Sequence, residues 1–197
     1  MQESFLLSKK KLAGTTTTWS PSNKAASVTL SNGNLRANCG NSGGAVFANV
    51  SHNSGKWYFE VKLTQFEGNS FSFMPMVGVM GAYNYQSPWN TNSNELFWYY
   101  GGSGSAQLIY QANQRINYGT TPAMLDVIGC AIDFTAKTIF YIRNGVAQPT
   151  ITYGSPNNYS LATTFFPCTS SPNSATGTTI VDWIAAPQYC PSGYSLW

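Results

Sequence analysis

Lys56-Trp57-Tyr58-Phe59-Glu60-Val61-Lys62-Leu63 decides the fold, because Trp57, Phe59, Val61 and Leu63 alternate with Lys56, Tyr58, Glu60 and Lys62. A period of two is that of a β-strand with one buried face. Downstream, the apolar run Met76–Met80 is bounded by Pro75 and Gly81 and predicts a core strand, with Gly78 where two backbones approach closely. Residues 96–100 (LFWYY) predict another strand. Residues 127–134 and 138–142 are apolar runs separated by Thr135-Ala136-Lys137, the spacing of a hairpin with a three-residue loop. Asn144-Gly145 then supplies the two positive φ angles of a type I′ turn, and the chain returns from Val146 as a further strand of a meander.

The last third adds strand candidates at 164–168 and 178–184. No window carries sustained helical periodicity with caps at both ends, and no repeat of fixed period is present. Many short strands between Gly, Pro and Asn clusters imply two packed sheets or a barrel.

Composition sets the boundaries. A chain of 197 residues suits one domain, and a domain of that size buries about 70% of the surface its unfolded form exposes. Only 9% of its residues are charged, against roughly 25% in a typical globular protein. Asn, Ser and Thr take their place in stretches such as 20–23, 91–94 and 171–179. A formal charge of +3 without a basic stripe argues against a nucleic-acid partner. Lys9-Lys10-Lys11 follows the apolar Phe5-Leu6-Leu7, the reverse of the order in a secretory signal, and no run of 18 apolar residues offers a membrane span. Residues 1–14 therefore read as an N-terminal arm, either a disordered end or a docking segment with Lys9, Lys10 and Lys11 as its assembly residues; residues 15–197 form the domain. Cys39, Cys130, Cys168 and Cys190 are too far apart for a zinc motif or a dense disulfide framework, and Cys130 lies within an apolar strand.

Several of these segments, in order, resemble motifs of the SPRY domain family. They are Ser54-Gly55-Lys56-Trp57-Tyr58-Phe59-Glu60-Val61, Val77-Gly78-Val79, Asp126-Val127-Ile128-Gly129-Cys130-Ala131-Ile132-Asp133-Phe134 and Ile139-Phe140-Tyr141-Ile142-Arg143-Asn144-Gly145-Val146. Phe166-Pro167 and the closing Pro191-x-Gly193-Tyr194 continue the match, which spans about residues 54–197, with 15–53 supplying the opening strands. The resemblance implies an all-β, two-sheet antiparallel β-sandwich of the concanavalin-like jelly-roll kind. It also implies recognition of proteins or short peptides by variable loops at one end, without chemistry. Similar domains occur in phage and other viral structural proteins.

Candidate chemistry is sparse. The one His, His52, lies in the polar stretch Ser51-His52-Asn53-Ser54 and reads as a surface loop residue rather than a base. Glycoside cleavage needs a pair of carboxylates; the candidates are Glu60, Glu67, Glu95, Asp126, Asp133 and Asp182. Glu60 falls on the face opposite Trp57 with no second carboxylate on its strand, and Asp126 and Asp133 match family positions with turn or ladder roles. No catalytic residue, metal site or cofactor is expected. The aromatic fraction is 15%, and Tyr83, Tyr85 and Trp89 with Asn90, followed by Tyr99 and Tyr100 before Gly101-Gly102, fall in expected loops. Tyr and Trp give large contact area at small entropic cost, so these six are the candidate ligand-binding residues, with capping of the core as the other reading.

The reading that follows is a non-catalytic recognition or structural module. Its neutral surface and basic arm point to a phage or viral virion component, in the tail, a fibre or the capsid surface, docking on virion proteins or a host surface ligand. The alternatives are a free-standing, cytoplasmic SPRY-type peptide-binding adaptor and a carbohydrate-binding domain, because Asn and Tyr also suit a glycan. Partners are expected to be proteins, within a larger assembly.

Overall fold

The computed structural model describes residues 17–40, 44–66, 75–81, 96–101, 106–110, 114–153, 164–171 and 178–197. Among them the chain forms β1 (Trp19–Lys24), β2 (Thr29–Ser31), β3 (Arg36–Asn38), β4 (Ala45–Ala48), β5 (Lys56–Gln65), β6 (Met76–Met80), β7 (Leu96–Gly101) and β8 (Ala106–Tyr110). It continues with β9 (Gln114–Asn117), β10 (Val127–Asp133), β11 (Thr138–Arg143), β12 (Val146–Ala147), β13 (Ile151–Thr152), β14 (Phe166–Ser170), β15 (Ile180–Trp183) and β16 (Ser195–Leu196). One sheet has the order β1-β4-β14-β6-β7-β8-β9, and the other β12-β11-β10-β5-β15-β3-β2, with β13 added on β11 and β16 on β5. The expected all-β fold of two antiparallel sheets is the one observed.

The decisive segment is the centre of the second sheet. β5 pairs with β10 from Lys56↔Asp133 to Lys62↔Val127. Its other edge is shared, with β15 antiparallel along the second half and β16 parallel at Trp57 and Tyr58. Phe59, Val61 and Leu63 are buried between the sheets with Val46, Val77, Val79 and Ile128. Each such side chain stabilises the fold by roughly 1.5–3 kcal/mol. Trp183 anchors the centre, stacked on Phe59 at 5.3 Å and meeting the edge of Trp19 at 5.1 Å.

Simple alternation fails on the outer face of β5. Tyr58 and Glu60, expected opposite the buried row, are themselves fully buried, while Trp57 is only half-buried. The cause is the segment 184–194 between β15 and β16, which crosses that face as a strap. Ile184 N–H donates to the Glu60 carbonyl at 2.9 Å. Tyr194 then packs edge-on against Phe140 of β11, over the satellite cluster of Tyr58, Ala131 and Ile142. Gly129, opposite Glu60 on β10, is required by this layer, because a Cβ there would collide with the Tyr58 hydroxyl and lie 2.6 Å from its ring.

The meander forms with a small change of register. Asp133 faces Thr138, so the hairpin loop is 134–137, one residue longer than expected. It is fixed by the Asp133 carboxylate, which accepts from the N–H groups of Thr135 and Ala136 at 2.9 Å each. Asn144 and Gly145 have φ of 48° and 83°, as the type I′ turn requires. The strands expected at 164–168 and 178–184 are β14 and β15, with Phe165 in an isolated bridge to His52.

Candidate functional site

Tyr83, Tyr85, Trp89 and Asn90, and the arm residues Lys9, Lys10 and Lys11, lie outside the described residues. Tyr99 and Tyr100 belong to strand β7 and not to a loop: their backbones pair with Leu108 and Gln107 of β8. An aromatic run before Gly101-Gly102 continues the ladder because β-propensity and pairing on both sides outweigh the glycine signal.

Met80 ends β6 opposite Leu96, which starts β7. Met80 and Leu96 therefore lie side by side at one end of the sandwich. Met80 also faces Phe166, and Phe165 bridges to His52, so His52 and Trp57 share that end.

Here the structure assembles a group that sequence reasoning did not find. His52 stacks on Trp57 with ring centroids 3.4 Å apart and planes within 3°, and Trp197 lies 5.1 Å from His52. Trp57 Nε1 donates to the Ser54 carbonyl at 2.7 Å, and Trp197 Nε1 to that of Val50 at 3.0 Å. His52 is thus a packed residue and not a free loop His; its burial against the indoles lowers its pKa below the usual value. Polar neighbours in sequence hid this, since Trp197 comes from the far end of the chain.

Glu67 and Glu95 lie outside the described residues; the other four candidate carboxylates are engaged by the framework. Glu60 is buried and accepts from Tyr58 OH at 2.7 Å, Tyr189 N–H at 2.6 Å and Gln188 N–H at 2.9 Å. Asp126 accepts from the Ala123 N–H at 2.6 Å, from Arg143 Nε at 2.5 Å and from Asn144 Nδ2 at 2.7 Å. Asp133 holds the 134–137 loop and pairs with Lys56 at 2.9 Å; the Ala136 N–H, with Lys56 in support, keeps its pKa low. Asp182 forms a bidentate pair with Arg36 at 2.7 and 2.8 Å and accepts from Thr64 Oγ1 at 2.6 Å. Burial works upward on Asp182, and the Arg36 and Thr64 hydrogen bonds outweigh it, so its pKa is also lowered.

The thiols are no better placed for chemistry. Cys39, Cys130 and Cys168 are buried and unpaired with one another, and burial pushes Cys39 up to about 12 and the other two higher than usual. A thiol so displaced carries no useful thiolate at neutral pH. Among the described residues no three metal-ligating side chains gather.

Comparison with known proteins agrees with this geometry. A family model described as SPRY domain matches residues 56–182. The chain is 29% identical over 136 residues to a Drosophila melanogaster protein described as a Ran-binding proteins 9/10 homolog; the match covers 65% of the chain and 14% of that protein's length. Among solved structures, the SPRY domain of human HERC1 superposes with a TM-score of 0.65 at 19% identity, covering 84% of this chain and 96% of that one. The TRIM65 PSpry domain superposes with a TM-score of 0.61 at 11% identity, covering 86% and 92%.

Proposed function

The chain belongs to the SPRY domain family, and on that premise we propose that it is a non-catalytic module that binds a protein or peptide through the loops at the Met80–Leu96 end. One observation carries the non-catalytic reading: Glu60, Asp126, Asp133 and Asp182 are each bonded to structural donors, so none of these four is free to serve as acid or base of a glycosidase pair. Tyr83, Tyr85, Trp89 and Asn90 are the recognition residues of this reading. Aromatic anchors on a rigid sandwich suit a protein surface, where a few such side chains dominate affinity.

The relatives with named sources are an insect and a human protein. They favour the free-standing adaptor over the virion component that composition suggested, and a cytoplasmic setting over a particle. They lend no support to a glycan ligand.

The test is capture of proteins by the immobilised chain, compared with a Tyr85→Ala/Trp89→Ala variant and identified by mass spectrometry. A protein retained by the wild type and lost with the variant, at an unchanged melting temperature, supports the reading. Sugar release from a glycan panel, abolished by Glu60→Gln, would overturn it.

A further inference from the structure

Among the described side chains, the large apolar residues left exposed are Met124 (52%), Leu125 (60%), Val146 (65%), Tyr189 (37%) and Leu196 (48%). Met124, Leu125 and Val146 lie on two neighbouring turns, with Tyr189 of the strap beside the second. Leu125 precedes Asp126, whose carboxylate grips Arg143 and Asn144, and Asn144 Oδ1 accepts from Val127 N–H at 2.8 Å. Val146 follows the same Asn144-Gly145 turn, and the Tyr189 ring borders it, 3.1 Å from where a Cβ on Gly145 would sit. Tyr189 is held there by its N–H on Glu60.

Register places this cluster at the end opposite His52 and Met80. Leu125 N–H donates to the Leu63 carbonyl at 2.7 Å, and Val146 faces Arg143, which faces Ile128 and through it Val61.

Leu125 is the informative residue. Its φ is +72°, whereas the other described non-glycine residues with positive φ are Asn32, Asn34, Lys137 and Asn144, all polar. A Leu in that region strains the backbone, and more than half of this residue's surface stays exposed. Strain combined with exposed apolar surface does not serve folding, and such outliers concentrate where a protein meets a ligand.

The surrounding charge selects the partner. Asp126 and Asp182 are neutralised by Arg143 and Arg36, which leaves Lys62, exposed beside Val127 on the neighbouring strand, as the charge in excess here among the described residues. A two-fold contact with a second copy of this chain would add another Lys62 and no free carboxylate among the described residues. A segment with apolar side chains and its own carboxylates matches both features.

We propose that Met124, Leu125, Val146 and Tyr189 form a second docking surface, which takes an acidic, apolar-anchored peptide segment of a partner protein. The surface lies at the end opposite Met80 and Leu96, so a chain using both ends joins two partners.

The probe is a phage library displaying random peptides of about twelve residues, a length suited to an extended recognition segment, selected on the whole chain and counter-selected on a Leu125→Gly/Val146→Ser variant. Glycine accepts the positive φ, so Leu125→Gly removes the side chain without adding strain. The expected result is enrichment of sequences combining Leu, Ile or Phe with Asp or Glu. Their affinity falls by at least about tenfold in Leu125→Gly, in Val146→Ser and in Lys62→Glu, with melting temperatures unchanged or, in Leu125→Gly, raised by relief of the strain, and stays constant in Tyr85→Ala. No enrichment, enriched peptides without acidic residues, or binding lost in Tyr85→Ala but kept in the turn variants would overturn the proposal. So would a concentration-dependent dimer that Leu125→Gly dissolves, since the occupant would then be a second copy. Each of these leaves the reading of the Met80–Leu96 end standing, because that rests on different residues.

Discussion

Replacing Glu60 by Gln distinguishes a structural carboxylate from a catalytic one by the sign of its effect. The wild-type Oε1 accepts from Tyr58 OH at 2.7 Å and Tyr189 N–H at 2.6 Å, while Oε2 accepts from Gln188 N–H at 2.9 Å. Gln fits the same space but has one oxygen. Kept at the Oε1 position, that oxygen retains two bonds without their charge, and the amide NH2 then faces the Gln188 N–H, donor against donor. Loss of charge assistance costs about 1 kcal/mol and a buried, unsatisfied donor about 1–3 kcal/mol more, so destabilisation of about 2–4 kcal/mol is expected. In a chain of this size each kcal/mol moves the midpoint by about 2–4 °C, which gives a fall of about 4–16 °C by calorimetry or circular dichroism. Hydrogen exchange should quicken first at the Gln188 and Tyr189 amides, as the strap lifts from β5. An unchanged midpoint with full protection at those amides would refute the clamp. A catalytic Glu60 would give the reverse, loss of a sugar-releasing activity with equal or higher stability.

Gly129→Ala should cost about 2–4 kcal/mol, because the new methyl can be placed only by expelling the Tyr58 ring from its site over β10; a midpoint within a degree of wild type would show that the outer layer yields freely. Stability should also fall in two stages on acidification, followed by urea unfolding. The His52 pKa is lowered by burial, so below about pH 6.5 the unfolded chain binds the extra proton and stability declines. Asp133 and Asp182 have lowered pKa values, so their contribution is complete above about pH 4 and is lost as the pH falls through their folded values. A flat urea midpoint between about pH 7.5 and 5.5 would exclude the first stage.

The sandwich was legible because its strands advertise themselves locally: the alternation in β5, the apolar run of β10 and the Asn144-Gly145 turn each follow from short-range chemistry. What a sequence window hides is long-range cover. Tyr58 and Glu60 read as a solvent face because nothing near them in the chain announces that Gln188, Tyr189 and Tyr194 will lie across it. The His52 stack joins residues as distant as Trp57 and Trp197, and polar neighbours disguised it. Leu125 gave no signal at all, since a Leu before an Asp names no backbone angle; its φ emerges only when Leu63 and Asp126 fix the turn.

Coverage of the sheets also limits where recognition can occur. The inner faces are closed against each other, and the strap seals the outer face of β5 and reaches Phe140 of β11. The edges of the second sheet are the two-residue β12 and the three-residue β2, too short to template an added strand of useful length. For that sheet the ends remain. One end brings together His52, Trp57, Met80 and Leu96, and the other presents Leu125 and Val146 on turns that Asp126 locks together. β5 runs between them, paired along both edges. The two proposed docking ends are therefore expected to bind independently, with the affinity at one end, read by calorimetric titration, unchanged when the other is filled; a shift in that affinity would refute the expectation.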